Sequence, residues 1–346
     1  MVFLHKYVST MAEERFSDLG RVEAIAKLFE GTPYKPFQSS WFETSGKSCI
    51  SSHSRTFLEG IDFDLTYFPL KHLGYKCAIA VTGELYAEMS HPRTMDVRLG
   101  ISSKLDFKHI KEVWDGIAAA AKEHGYSQVT LDLVPSPNGL AVSVSCTGET
   151  THLMAKRRPA AKSMDLICIS DNIGAAFMGF QVLEREKREF EKSGDAKAQP
   201  KLDDYKNLIG AYLKPQINAQ IINQLEDSEI MPSYGYLVTR GLADAVKRLV
   251  RDSGLGAKIY VDKLPFAGKT FELGRELNID PISAALNGGE DYRLLFTIPI
   301  GKHEKFRHDF QTFDIIGHLA KPEVGAVAVT PDGVELPLKA QGWNNE

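Results

Sequence analysis

Hydrophobic and polar positions along the chain alternate between a helical period and a strand period, and the changes between them mark its elements. Over residues 12–30 the spacing is helical, with Val22, Ile25, Leu28 and Phe29 on one face. Residues 31–54 are rich in Gly, Pro, Ser and aromatic side chains and show little period. A long apolar run with a small-residue middle, His72 to Met89, predicts a helix, and Thr94 to Ile101 alternates like a strand. Phe107, Ile110, Val113, Trp114, Ile117 and Ala121 return at helical spacing, and Gly125 marks a C-terminal stop. Residues 128–134 and 140–146 read as strands joined by Pro135-Ser-Pro-Asn-Gly139, a turn by composition. This first half is a strand–helix–strand–strand α+β unit, and its apolar strand runs predict burial on both faces.

Polar and basic residues at 148–162 interrupt the pattern and place a boundary, giving an N-terminal α/β domain over 1–150 and a C-terminal one over 151–346. Lys156-Arg-Arg158, within that boundary, reads as a solvated loop. Leu166-Ile-Cys-Ile169 is a buried strand. A helix follows from Ile173 through Glu184-Arg-Glu-Lys-Arg-Glu189, whose charge run reads as a solvated face. Residues 193–206 form a polar linker. Helices are expected at 216–225, 241–253 and 269–278, with strands at 257–261, 292–299 and 313–319.

Composition narrows the classes of function. The chain has 346 residues, 43% hydrophobic and 25% charged, which suits two core-bearing halves of a globular protein. A formal charge of -4 without a basic stripe argues against a nucleic-acid partner. Cys49, Cys77, Cys146 and Cys168 sit in apolar runs with no CxxC spacing, as buried thiols in a reducing compartment would. The first eight residues are too short and interrupted a run for a signal peptide, and no apolar stretch approaches membrane-spanning length. A cytoplasmic protein is expected.

One stretch concentrates the chemistry: Asn287-Gly288-Gly289-Glu290-Asp291-Tyr292, between a helix-like run at 281–286 and the strand at 292–299. Its glycines let backbone turn and approach a ligand. Its adjacent carboxylates are aimed one toward each face where the strand begins. On these residues alone, a tight turn with a solvated acidic pair remains the other reading. Ser45-Gly-Lys-Ser48 is no phosphate loop, because Trp41 stands where the motif needs glycine. His303 and His308 fall on different faces of a helix and read as solvated. Trp343 either stacks on a flat ligand or caps the core.

Gly-Gly-Glu-Asp-Tyr ahead of a hydrophobic strand resembles the C-terminal signature of the thiamine-monophosphate kinase family, relatives of aminoimidazole ribonucleotide synthetase. Gly60-Ile-Asp-Phe-Asp64, Lys71-His-Leu-Gly-Tyr-Lys76, Gly174-Ala-Ala-Phe-Met-Gly179, Gln181-Val-Leu-Glu-Arg-Glu186, Leu213-Lys-Pro215 and Gly317-His318 follow in family order, covering about 16–343. The resemblance implies a two-domain fold of that type, with the N-terminal sheets forming a homodimer. It also implies transfer of a phosphoryl group from ATP to thiamine phosphate, aligned by several Mg²⁺ ions on separated aspartates.

This sequence departs from that pattern where the charged residues should be. Tyr34 to Glu43 has no Asp for the family's Gly-Asp-Asp, and its Thr-Asp falls on Ser54-Arg55. The family's His before the first helix falls on Asp62. Its Asn-Leu-Ser-Asp falls on Val81-Thr-Gly-Glu84, and Gly-Gly-Asp-Thr-Thr on Thr130-Leu-Asp132-Leu-Val134. Asp171 stands in the former Thr-Gly-x-x-Gly, and Ile-Asp-Ile-Ser-Asp-Gly-Leu has lost both aspartates, to Leu237 and Arg240. An arginine in place of a metal ligand opposes a second cation by several kcal/mol, the order of about one close charge pair at moderate dielectric.

The expectation is therefore a catalytically degenerate relative that binds another anionic ligand. Its ligand-binding candidates are Arg55, Arg240, Gly288, Gly289, Glu290, Asp291 and Trp343, with no metal site. One alternative is an active kinase using Mg²⁺ and ATP through a rebuilt site with Glu84, Asp132, Glu290 and Asp291. The other is a non-catalytic subunit paired with a catalytic relative.

Overall fold

The computed structural model describes Glu23, Glu30 and residues 42–43, 48–193 and 202–340. The expected helix at 12–30, the rejected phosphate loop and Trp343 lie outside them or at their margin.

The first sheet is built from β1 (Phe42–Glu43), β2 (Ser48–Leu58), β3 (His91–Ile101), β4 (Gln128–Pro135) and β5 (Ala141–Thr151), in the order β1-β2-β5-β3-β4. Only β3 and β4 run parallel. Period-two alternation decides what β2 offers the interior: Cys49, Ser51, His53, Arg55 and Phe57 share one face, while Ser52, Ser54, Thr56 and Leu58 face solvent. Two helices cover the sheet, α1 (Leu70–Ala87) and α2 (Phe107–Glu123), the latter closed by Gly125 at φ 73°.

The second sheet has seven strands in the order β12-β11-β8-β10-β6-β9-β7. These are β6 (Leu166–Ser170), β7 (Gly235–Val238), β8 (Gly256–Tyr260), β9 (Arg293–Ile298), β10 (Phe313–Ala320), β11 (Ala326–Val329) and β12 (Glu335–Pro337). Its helices are α3 (His152–Arg157), α4 (Ala175–Ser193), α5 (Lys206–Leu213), α6 (Ile221–Asp227), α7 (Leu242–Ser253), α8 (Thr270–Leu277), α9 (Pro281–Asn287) and α10 (His303–Asp309).

Helix α1 joins the two halves. It is buried almost all round, because β2 and β5 pack on one side and β7 and β9 on the other. One continuous apolar cluster accordingly runs from Phe57 and Val144 through Ile79 and Leu85 to Leu237 and Phe296. The contact is closest at Gly235, where a Cβ would stand 2.0 Å from the carbonyl oxygen of Ala87. A second cluster, with Val246 and Leu249 of α7 against Ile259 and Leu295, fills the other face of the second sheet.

Several expectations change. Phe107, assigned to the buried stripe of α2, is 83% exposed, since it occupies the first helical position beyond the edge of α1. The strands at 128–134 and 140–146 are not neighbours: β3 lies between them. Nor is β4 buried on both faces, for Leu131 and Leu133 are 41% and 52% exposed on the sheet edge. Part of the boundary at 148–162 is ordered: β5 continues to Thr151, and Lys156 and Arg157 belong to α3 rather than a loop. Arg158 is part-buried and donates to the carbonyl of Glu88. Helix α5 lies where a linker was expected to end, the helix expected at 216–225 begins only at Ile221, and β7, β11 and β12 were not foreseen. All four cysteines are buried.

Candidate functional site

The turn after α9 departs from ordinary backbone. Gly289, Glu290 and Tyr292 have φ of 76°, 64° and 51°, so two of three are side-chain-bearing residues in the left-handed region. Each such residue costs about 1–3 kcal/mol and persists only where its surroundings hold it. Here the Glu290 N–H donates to the Thr239 carbonyl and the Tyr292 N–H to that of Val238, both at 2.9 Å.

The twist sends the two carboxylates in opposite directions, and each meets partners within the protein. Asp291 is 3% exposed and accepts from the N–H groups of Gly174 (2.9 Å) and Ala176 (3.2 Å), closing the start of α4. Burial pushes its pKa up to about 6 against those two hydrogen bonds. Glu290 points toward the first sheet. Lys76 Nζ lies 2.8 Å from one of its oxygens, and Arg55 donates to the other at 2.9 Å. Burial opposes its charge, but Lys76 and Arg55 prevail and hold its pKa down to about 2.

Lys76 is the unusual member of this group. It is 1% exposed in an apolar helix, and its ammonium sits 3.8 Å from the centre of the Tyr212 ring. Burial draws its pKa down, and Glu290 opposes that. Arg55 stacks 4.7 Å from the Phe57 ring and 5.6 Å from that of Tyr292. Burial opposes its charge too, but Tyr292 and Glu290 raise its pKa.

The Arg55–Glu290 pair stands between two cavities. One, about 180 Å³, is lined by Ile61, Asp62, Phe177, Phe180, Tyr212 and the segment Gly288–Glu290. The other, about 190 Å³, is lined by His53, Ser54, Arg55, Ala80, Val81, Glu84, Thr239, Arg240 and Arg248. Its walls come from three elements with simple periodicities. His53 and Arg55 are two apart on β2, Ala80 and Glu84 four apart on α1, and Arg248 comes from α7. Arg240 is brought in by the turn from β7 into α7. That turn needs Gly241, whose φ is 91° and whose added Cβ would meet the Leu286 carbonyl at 2.3 Å.

Carboxylates behind the wall hold its cations. Arg248 Nε lies 3.1 Å from Asp244, which is 2% exposed, and its Nη2 donates to the Leu237 carbonyl at 3.0 Å. His53 Nε2 lies 3.1 Å from Glu88; burial lowers the imidazole pKa, but Glu88 more than reverses this.

The structure thus brings Arg55, Arg240 and Glu84 to one cavity, with Gly288, Gly289 and Glu290 across the ion pair from it. Asp291 serves the helix start instead. Asp132 lies on the exposed edge strand β4, paired with Arg98 at 3.0 Å, and lines neither cavity. Asp171, at φ 50°, faces Arg293 at 3.4 Å. Lys76, Arg248 and His53 were not singled out from sequence. A signal existed for Lys76: a lone charge in the apolar run Gly74 to Val81 must find a partner.

This donor set does not suit magnesium, which takes several carboxylate or phosphate oxygens. Three guanidiniums face one carboxylate, and no group of three or more His, Cys, Asp or Glu able to hold a metal occurs among the described residues.

No protein-family model matches the chain. It is 25% identical over 288 residues to the thiamine-monophosphate kinase of Aquifex aeolicus, covering 83% of this chain and 85% of that one. The thiamine-monophosphate kinase of Bacillus subtilis (strain 168) is 22% identical over 294 residues, 84% of this chain and 86% of its own. A solved structure described as AaThiL complexed with AMPPCP and TMP superposes with a TM-score of 0.78 over 97% of this chain and all of that one, at 21% identity. Over most of its length the chain is similar to thiamine-monophosphate kinases in sequence and fold. Its mixed α/β architecture is the aminoimidazole ribonucleotide synthetase-like fold. The same fold occurs in a chain from a HypE–HypF complex, with a TM-score of 0.58 over 87% of this chain and 92% of that one at 17% identity. No helix among the described residues is long and apolar enough to cross a membrane.

Proposed function

We propose that this relative of thiamine-monophosphate kinases has given up metal-dependent phosphoryl transfer and uses the cleft between its two sheets to bind a small anionic ligand. The observation that carries this reading is the cavity wall: Arg55 and Arg240, which stand where the resemblance expects aspartates, line it together with Arg248, and Glu84 is the one carboxylate among the lining residues. The four acids that a rebuilt kinase site would draw on do not converge. Asp132 is on an exposed edge, Asp291 faces backbone amides, Glu290 is held by two cations, and Glu84 alone lines the arginine cavity. Positioned metal charge supplies most of the catalysis in transfer between two phosphates, and a guanidinium in a metal position opposes it.

The test is incubation of purified protein with ATP, Mg²⁺ and thiamine monophosphate, with a calorimetric titration of Mg·ATP beside it. Thiamine diphosphate should stay at the no-protein background and Mg·ATP should give no binding heat. Steady turnover overturns the reading.

A second reading is a non-catalytic subunit, supported by the exposed apolar edge of β4 and by the likeness to a chain crystallised with a different protein. Recovery of a stoichiometric catalytic relative with the tagged protein from its source cells would support it.

A further inference from the structure

Helix α7, which supplies Arg248 to the cleft, is closed on its polar side as well as its apolar one. Leu242, Ala243, Ala245, Val246 and Leu249 pack into the cluster of the second sheet. Asp244, Lys247, Arg248 and Arg251, at spacings of three and four, form the other face, which on such a helix ordinarily meets water. Yet none of the 12 residues of α7 is exposed, and Asp244 keeps only 2% of its surface. The ion pairs of this face show what lies against it. Arg248 pairs with Asp244 and Arg251 with Asp252, both acids of α7 itself. Lys247 instead pairs with Glu23, an acid from the other end of the chain. Glu23 is helical and half-buried, within a stretch whose sequence carries a helical period. Burial opposes its charge, but the bond to Lys247 prevails and lowers its pKa, while Asp244 is near enough to work against that. Glu23 therefore lies over both Lys247 and the carboxylate that holds Arg248.

We infer that the segment carrying Glu23 is a strap seated on the polar face of α7, and that its docking through Lys247 keeps α7 ordered and Arg248 in place on the cavity wall. A helix this short is marginal without packing on its faces. With the strap seated, water is kept from the Asp244–Arg248 pair, whose attraction is stronger in the lower dielectric. With it released, that pair is hydrated and α7 opens locally while the second sheet stays closed. The strap is thus a device by which the N-terminal end of the chain controls one wall of the cleft, whatever ligand the cleft takes.

Hydrogen exchange of the full chain, followed by mass spectrometry, tests this on Glu23→Lys, Lys247→Glu and the double variant, in which the two charges are exchanged. Each single change should speed exchange in peptides from α7 by about threefold or more, with no change in peptides from β6. The double variant should return α7 toward the parent rate, which a merely destabilised protein would not do. Unchanged exchange in α7 in the single variants, or a double variant no closer to the parent than they are, overturns the inference. Should a charge variant fail to fold, Glu23→Cys/Lys247→Cys decides the matter. The native cysteines are buried, so a short bismaleimide should join positions 23 and 247 within one folded chain. Absence of that cross-link in folded protein also overturns the inference.

Discussion

Replacing Glu290 by glutamine keeps the shape of the side chain and removes the charge that Lys76 and Arg55 share. Lys76 is 1% exposed and cannot reach water, so its least costly response is to lose its proton. At pH 7.5 that costs about 4 kcal/mol, from 1.36 kcal/mol for each of the roughly three pH units below the ordinary lysine pKa of about 10.4. The figure agrees with the roughly 3–5 kcal/mol lost on breaking a buried pair. Arg55 adds less, since it keeps the faces of Phe57 and Tyr292 and its side chain is 18% exposed. The sign with pH follows from proton counting. In the variant the unfolded chain carries a proton on Lys76 that the native one lacks, so stability rises with pH through this range. The deficit relative to the parent should therefore shrink to about 2 kcal/mol at pH 9. Urea unfolding followed by intrinsic fluorescence at both pH values measures it. A deficit below about 1 kcal/mol at pH 7.5, or one unchanged at pH 9, would refute the account of Lys76.

Two further outcomes follow from the same geometry. Asp291, raised to about 6 by burial, binds its proton more tightly in the native state. Its contribution is therefore full below about pH 4 and lost as pH rises through 6, and Asp291→Asn should remove that fall from the unfolding profile. On the exposed edge of the first sheet, Leu131 and Leu133 share a face of β4 and suit a second copy of the chain. Light scattering should show a dimer for the parent and a monomer for Leu131→Lys/Leu133→Lys; equal masses would remove β4 from the interface.

Much of the fold was legible because its elements carry strong periods. Helices α1 and α2 and strands β3, β6, β9 and β10 lie within a few residues of where the pattern places them. Short strands such as β7 and β12, of four and three residues, hold too little pattern to be seen. Helix α5 was lost against the polar stretch before it. The site was legible in part. Arg55 and Arg240 stood out against a family pattern, but Arg248 and His53 belong to the cavity only because α7 and β2 come together in space. The opposed directions of Glu290 and Asp291 were expected from strand alternation, whereas the pairing of Glu290 was not, since nothing local announces Lys76 as a partner 214 positions earlier.

Helix α1 also sets a timetable for the nascent chain. Its partners on β2 and β5 are complete once Thr151 has been made, but its other side awaits β7 and β9, the latter ending at Ile298. At ordinary rates of about 5–20 residues per second, that side stays uncovered for roughly seven to thirty seconds of synthesis. During that interval Gly83, Ala87 and the ammonium of Lys76 have no second-half neighbours, and Glu290 does not yet exist to meet the charge. An N-terminal fragment ending near residue 150 would remain permanently in that condition, a sheet with one helix dressed on a single side, and would be a client for chaperones rather than a free-standing module.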